Sequence, residues 1–159
     1  MAQTKAFEWY KYEQPVAMPG MKADASVDVV DSVCAEVAMN PGDVVKRGSA
    51  DGLGKPILTS ADLGTAISIL GIAVHTQKDY DGEGAYYKVG DAVPVMSFGD
   101  VYVEAGATVA AGAAAGLATT DSKAELVNAA DLGTGVALTG MTFLASGVDG
   151  DIVPLRIRK

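Results

Sequence analysis

Two nearly identical hexapeptides constrain the fold of this 159-residue chain more than any other feature. They are GDAVPV at residues 90–95 and GDIVPL at residues 150–155. Neither copy holds a residue suited to act as a nucleophile or a base. Each copy has the β-branched composition of a strand and begins with a Gly-Asp turn. The repeat therefore indicates architecture rather than chemistry.

Two longer blocks recur in the same order as the hexapeptides. GDVVKRGSADGL (42–53) is similar to GATVAAGAAAGL (106–117), and ADLGTAISILG (61–71) is similar to ADLGTGVALTG (130–140). A recurrence of several blocks in register is the signature of an internal duplication. The sequence thus predicts one β domain over residues 25–159, with two related halves at about 40–99 and 104–159.

The segments between the repeats indicate strands and turns. Pro41 and Gly42 occupy the central positions of a type II turn, and Gly71 interrupts an apolar strand where a bulge or bend is expected. In the last strand Val153, Leu155 and Ile157 alternate with polar residues or proline. Residues 123–130 are compatible with a short helix. The predicted fold class is all-β, a β-sandwich or small β-barrel built from an internally duplicated unit, with an extended N-terminal arm.

The proline in each hexapeptide gives a further prediction. Pro94 and Pro154 cannot donate a backbone hydrogen bond to a neighbouring strand, so both are expected on edge strands or at bulges. Equivalent prolines in the two halves would then protect two equivalent edges from unwanted strand pairing.

Charge and composition exclude several function classes. The net charge is −8, and residues 25–153 hold 17 acidic against 6 basic residues, which disfavours a nucleic-acid partner. The longest apolar run covers only residues 66–74, too short to span a membrane, and residues 1–15 lack a signal-peptide core. Cys34 is the only cysteine and is expected to be a small buried residue. Synthesis in the cytoplasm of a host cell is expected.

No pattern in the sequence supports catalysis or a cofactor. His75 is the only histidine and closes an apolar strand, so it is expected to be a structural residue. The acidic stretch DYDGEG (79–84) resembles the start of a calcium loop, but Gly90 stands where a bidentate glutamate is required. We expect an acidic surface hairpin there, no metal, no cofactor and no enzymatic activity.

The N-terminal arm, residues 1–24, concentrates aromatic side chains. Phe7, Trp9, Tyr10 and Tyr12 lie within six residues, with Lys5 and Lys11 interleaved. Such side chains are enriched at protein interfaces. The alternative is an ordinary first strand packed on its own core. Candidate contact residues for a partner or a second copy are in the arm and on the outer face of the last strand: Lys5, Phe7, Trp9, Tyr10, Tyr12, Arg156 and Arg158.

From about Asn40 to its end, the chain resembles the capsid cement (head decoration) proteins of tailed bacteriophages. The resemblance lies in NPGDVVKRG, ILGIAVHT, YKVGDAVPVMSFGDVYVEAGATVAAG and GDIVPLRI. It implies a non-enzymatic β protein that binds the outer surface of an icosahedral capsid and stabilises the junctions between capsomers of the major capsid protein. It also implies a homo-oligomer, a dimer or trimer, located in the virion. No catalytic residues are implied.

Two alternatives come from other classes. VEAGATVAAG (103–112) resembles the turn-and-strand pattern of lipoyl and biotinyl carrier domains, but no lysine lies at the midpoint where a carrier needs one. A related possibility is a small ligand-binding β module. A secreted adhesion or tail-tip module would need exposed aromatics, which Tyr80, Tyr86 and Tyr87 would have to supply.

Overall fold

The computed structural model describes residues 17–63, 68–78 and 82–158. Nearly all regular structure in these ranges is β, which confirms the predicted class. The strands are β1 (Val29–Ala35), β2 (Val44–Arg47), β3 (Leu53–Pro56), β4 (Ile69–Ala73), β5 (Ala92–Glu104), β6 (Ala114–Thr119), β7 (Ala124–Asn128), β8 (Gly135–Phe143) and β9 (Ile152–Arg158). Two 3-10 helices of three residues each, Ser60–Asp62 and Ala129–Asp131, complete the elements. No helix in the described ranges has the length and apolarity needed to cross a bilayer.

The first five strands form a closed barrel. Their order is β1-β3-β2-β4-β5, and β1 also pairs with β5, which closes the ring. All of these pairings are antiparallel except that of β1 with β3. The barrel encloses a small core of seven buried residues: Ala35, Met39, Val45, Ala73, Tyr87, Val93 and Val95.

The second group of strands shares β5 with the first. Beyond β5 the order continues β9-β8-β6-β7, with antiparallel pairing throughout. An isolated parallel bridge joins Ala105, just after β5, to Leu126 in β7, so this group also curves back on itself. A larger core lies inside it and extends to residues of the first group such as Val44 and Ile72.

Corresponding hydrogen bonds recur in the two groups of strands. The amide of Gly42 donates to the carbonyl of Ala73 at 2.8 Å, and the amide of Gly112 donates to that of Phe143 at 2.8 Å. Likewise Gly90 donates to Ala35 and Gly150 to Ala105, both at 2.8 Å. By these hydrogen bonds Gly42 corresponds to Gly112. The sequence alignment instead pairs Gly42 with Gly106, six residues earlier in the chain. The division of residues 25–159 into two related halves stays a prediction.

The prediction that Pro94 and Pro154 mark sheet edges is wrong. Pro94 lies in β5 and Pro154 in β9, and both strands are interior. The Pro94 carbonyl accepts from the amide of Val74, just after β4 ends, and the Pro154 carbonyl accepts from Leu144, just after β8 ends, both at 2.8 Å. In a strand the N–H and C=O of one residue point to the same side. Each proline therefore leaves the return bond of its pair unmade, at the point where the neighbouring strand ends, and the carbonyl of Val74 accepts from the hydroxyl of Tyr87 at 2.5 Å instead.

The structure corrects two smaller expectations. The short helix near residues 123–130 is instead β7, because these residues pair with β6. Cys34 is exposed rather than buried, because Val33 and Ala35 point into the barrel and strand alternation turns Cys34 outward.

Candidate functional site

The predicted contact residues fall into two sets. Lys5, Phe7, Trp9, Tyr10 and Tyr12 lie outside the described residues. Arg156 and Arg158 lie in β9, where Val153, Leu155 and Ile157 are buried in the larger core. Because side chains alternate along a strand, the two arginines are on the outer face, as predicted.

Both arginines are oriented by one buried carboxylate, that of Asp100 in the neighbouring strand β5. Arg156 donates from Nε to Oδ1 at 3.0 Å and from Nη2 to Oδ2 at 2.7 Å, a bidentate pair. Arg158 Nη2 lies 3.5 Å from Oδ1. The Asp100 side chain is only 2% exposed, while those of Arg156 and Arg158 are 42% and 39% exposed. The hydrogen bonds from Arg156 to Asp100 raise the pKa of the guanidinium above its usual value.

Aromatic residues of β5 extend this outer face. Phe98 is paired with Arg158 across the two strands, and the guanidinium carbon lies 4.5 Å from the ring centroid, a cation–π contact. Tyr102 is paired with Pro154 in the same way. Two arginines and two aromatic rings therefore share one side of the β5–β9 pair.

The described part of the N-terminal region borders the same face. The amide of Gly20 donates to the carbonyl of Tyr102 at 2.7 Å, and the amide of Tyr102 donates to the carbonyl of Met21 at 2.8 Å. Met18 and Met21 are 42% and 37% exposed. The segment that holds Gly20 and Met21 therefore borders the face that carries the arginines.

Sequence analysis missed Asp100, Phe98, Tyr102 and the two methionines. Strand alternation places Asp100, Tyr102 and Glu104 on one side of a strand, but it does not say which strand lies beside it. The missing information was the pairing of β5 with β9, which sets Asp100 opposite Arg156. A buried acid opposite an arginine becomes visible only when that register is known.

A groove of about 370 Å³ lies between the two groups of strands. Four acidic residues are among those that line it: Asp43, Glu104, Glu125 and Asp149. Burial raises the pKa of Asp43 to about 6, although its carboxylate accepts a hydrogen bond from the amide of Asn40 at 2.7 Å. Four carboxyl groups alone do not define a ligand, and the groove is assigned none.

The other predicted chemistry finds no support in the described part of the chain. A carrier domain would need a hairpin between its halves, whereas β5 passes straight through that point. Tyr87 is buried, and the Tyr86 ring packs against His75 and Tyr87, with both centroid distances 5.0 Å, so neither offers a free ring face for a sugar. Tyr80 lies outside the described residues. No group of three or more metal-ligating side chains is arranged to hold an ion in the described ranges, and Asp79 and Asp81 lie outside them.

Comparison with solved structures shows the same fold in a phage particle. A chain of "The capsid of Myoviridae Phage XM1" matches with a TM-score of 0.74 and 20% identity, over 93% of this chain and 94% of that chain. A chain of "The crystal structure of head fiber gp8.5 N base in bacteriophage phi29" matches at a TM-score of 0.42 and 15% identity, over 83% of this chain and 95% of that chain. No curated protein sequence matches the chain.

The match at a TM-score of 0.74 places the chain in a class of β-rich folds found in phage capsid structures. A family model described as "Structural cement protein (E217 gp24/Pam3 gp6)" matches residues 8–158. Because this match covers nearly the whole chain, the chain belongs to the family of phage structural cement proteins. The resemblance inferred from the sequence motifs is confirmed.

Proposed function

We propose that this protein binds the outer surface of an icosahedral capsid, at the junctions between capsomers of the major capsid protein, and stabilises the shell. The observation that carries the proposal is the family match over residues 8–158. The role is non-enzymatic and needs no cofactor, nucleic acid or membrane. The protein acts as a homo-oligomer, a dimer or trimer, which suits the symmetric positions of a capsid lattice.

The proposed contacts come from the arm and from β9. Lys5, Phe7, Trp9, Tyr10 and Tyr12 supply aromatic area and positive charge, and Arg156 and Arg158 supply exposed guanidinium groups. Each copy makes contacts of modest strength, but many copies act on one shell. Stabilisation therefore depends on multivalency rather than on high affinity at a single site.

The direct test is addition of the purified protein to shells of the parent phage prepared without it. Bound protein should raise the temperature at which the shells open, and cryo-electron microscopy should find density between capsomers. Shells that bind no protein, or that bind it only on their inner surface, would contradict the proposal. The mass of the free protein in solution would separate a dimer from a trimer.

The role of the arm has its own test. A variant with Phe7, Trp9, Tyr10 and Tyr12 all replaced by serine should lose shell occupancy about tenfold or more, because aromatic anchors dominate interface energetics. The control is Val89→Ser, which alters an exposed apolar residue in the turn before β5. Undiminished occupancy of the arm variant would show that the arm is not the anchor.

A further inference from the structure

We propose that the bond between Asp51 and Gly52 is a site of spontaneous covalent modification, at which the aspartate is converted to isoaspartate through a cyclic imide. Asp-Gly occurs three times in the chain, at residues 51–52, 81–82 and 149–150. Asp81 lies outside the described residues. The structure distinguishes the other two copies, because one is free to react and the other is held by a hydrogen bond. The site does not depend on the proposed function.

The reaction consumes and releases only water. The backbone nitrogen of Gly52 attacks Cγ of the protonated Asp51 carboxyl group. A C–N bond forms, the bond from Cγ to the hydroxyl oxygen breaks, and the amide proton leaves with that hydroxyl as water. Water then opens the cyclic imide at either carbonyl carbon, which restores aspartate or gives isoaspartate, in which the main chain runs through Cγ. Glycine favours the first step because it has no side chain to hinder the approach of its nitrogen.

Asp51 and Gly52 occupy the central positions of the turn between β2 and β3. The amide of Leu53 donates to the carbonyl of Ala50 at 3.2 Å, and Gly52 has a φ of 79°, as in a type II turn. The Asp51 side chain is fully exposed, and Arg47 Nη1 lies 3.5 Å from its Oδ1, an exposed ion pair of little strength. A Cβ built on Gly52 would have no atom within 4 Å. The carboxyl group therefore has room to move over the glycine nitrogen.

Hydrogen bonds leave the Asp51–Gly52 peptide group free to rotate. Within the part of the chain that the structure describes, the amide of Gly52 donates to no acceptor and the carbonyl of Asp51 accepts from no donor. The carbonyl of Gly52 accepts from the amide of Cys34 at 2.8 Å, but this carbonyl belongs to the next peptide group. Rotation of the Asp51–Gly52 peptide plane changes only ψ of Asp51 and φ of Gly52, and glycine takes positive or negative φ about equally readily. The plane can thus rotate towards the carboxyl group while the turn stays anchored to β1.

Asp149 and Gly150 form a matched site that is held. They occupy the central positions of a similar turn, in which the amide of Asp151 donates to the carbonyl of Val148 at 3.0 Å and Gly150 has a φ of 85°. Here the amide of Gly150 donates to the carbonyl of Ala105 at 2.8 Å, and Ala105 is buried. Rotation of this peptide plane would break the hydrogen bond and leave a buried acceptor without that partner, which costs free energy. The same dipeptide should therefore react more slowly at this turn.

Conversion at Asp51 lengthens the main chain of the turn by one carbon atom. We expect the lengthened turn to lose the hydrogen bond from Leu53 to Ala50. The pairing of β2 with β3 begins outside the turn, at Arg47 and Gly54, so the modified protein should stay folded. The product keeps one carboxyl group and the mass of aspartate. Detection therefore requires an isotope label rather than a change in the intact mass.

The test is incubation of the full chain in water labelled with heavy oxygen, followed by digestion and mass spectrometry of the peptides. Each opening of the imide places one labelled oxygen on the residue, so the label records the reaction at each site. In the folded protein the label at Asp51 should exceed that at Asp149 about tenfold, because only the second site must break a hydrogen bond. Fragmentation of the labelled peptide should identify isoaspartate at position 51.

Two controls separate the effect of the fold from that of the dipeptide. In urea both sites should take up label at similar rates, because the unfolded chain holds neither turn. Asp51→Glu should lose the label at position 51 and keep that at Asp149 unchanged, since glutamate would have to close a larger ring, which forms more slowly. Equal label at the two sites of the folded protein, or more at Asp149, would overturn the proposal. So would label that persists at position 51 in Asp51→Glu, or no isoaspartate there over a period in which the unfolded chain forms it.

Discussion

At the scale of single residues, Asp43 combines two opposing effects. Its carboxylate accepts a hydrogen bond from the amide of Asn40 at 2.7 Å and so completes the turn that precedes β2. Its burial at the groove nevertheless raises its pKa to about 6. An unfolded aspartate has a pKa near 3.9. Between these two values the folded chain binds more protons than the unfolded chain, so the free energy of unfolding falls as the pH rises.

This linkage predicts the effect of Asp43→Asn. An asparagine oxygen can still accept from Asn40 but carries no charge to desolvate. The free energy of unfolding at pH 8 should therefore rise by about 1–3 kcal/mol. At pH 4, where Asp43 is protonated in the folded state and about half protonated in the unfolded state, most of the difference should vanish. Urea unfolding at pH 4 and pH 8 measures both values.

Asp91 provides the matched control for this prediction, because it occupies the corresponding place in the turn before β5. It accepts from the amide of Lys88 at 2.9 Å, but hydrogen bonds from Lys78 and from that amide lower its pKa. Its charged form therefore stabilises the folded state, and Asp91→Asn should reduce stability at pH 8. Two variants that change stability in the same direction at pH 8 would contradict the assignment of the raised pKa to Asp43.

At the scale of secondary-structure elements, Gly71 permits the approach of β4 to β5. Val45 is paired with Gly71 and Lys46 with Ile69, so Leu70 is an extra residue that makes a bulge. A Cβ added at Gly71 would lie 1.9 Å from the carbonyl oxygen of Met96 in β5. The sequence predicted a bulge or bend at this glycine, and the close contact with β5 gives its physical reason.

The variant Gly71→Ala should therefore force β4 away from β5. We expect the free energy of unfolding to fall by about 2–4 kcal/mol, as measured by urea denaturation. The control is Gly133→Ala, because a Cβ at that glycine would have no atom within 4 Å. Equal stability of the two variants would show that β4 can move without cost.

The elements also show which features a sequence can predict. The turn from Asn40 to Asp43 was predicted because its glycine conformation is local, and Gly42 has a φ of 92°. The burial of Val153, Leu155 and Ile157 was predicted because side-chain alternation is local too. The position of Pro94 in an interior strand depends on which strands lie beside it. That information is absent from the order of residues along one strand.

For the candidate site too, the sequence predicted the features that depend on one strand and not those that depend on neighbouring strands. Alternation placed Arg156 and Arg158 on an outer face, and the structure agrees. The role of Asp100 depends on the register of β5 against β9, which no single segment encodes. The contact role of the arm residues stays a prediction, because residues 1–16 lie outside the described ranges.

At the scale of the whole molecule, β5 connects the two groups of strands. This strand of 13 residues pairs with β1 and β4 through its first part and with β9 through its second part. The larger core likewise joins Val44 and Ile72 of the first group to Leu117 and Phe143 of the second. Separation of the two groups would expose this core to water and would interrupt the pairing along β5. The two groups of strands should therefore unfold as one cooperative unit.

This cooperativity can be tested by combining Gly71→Ala with hydrogen exchange read by mass spectrometry. If unfolding is global, the substitution should accelerate exchange of the protected amides in β6 and β8 as much as in β2 and β3, since all open through the same transition. Gly133→Ala should change neither set. Faster exchange confined to the first group of strands would mean that β5 is a hinge between two independent units.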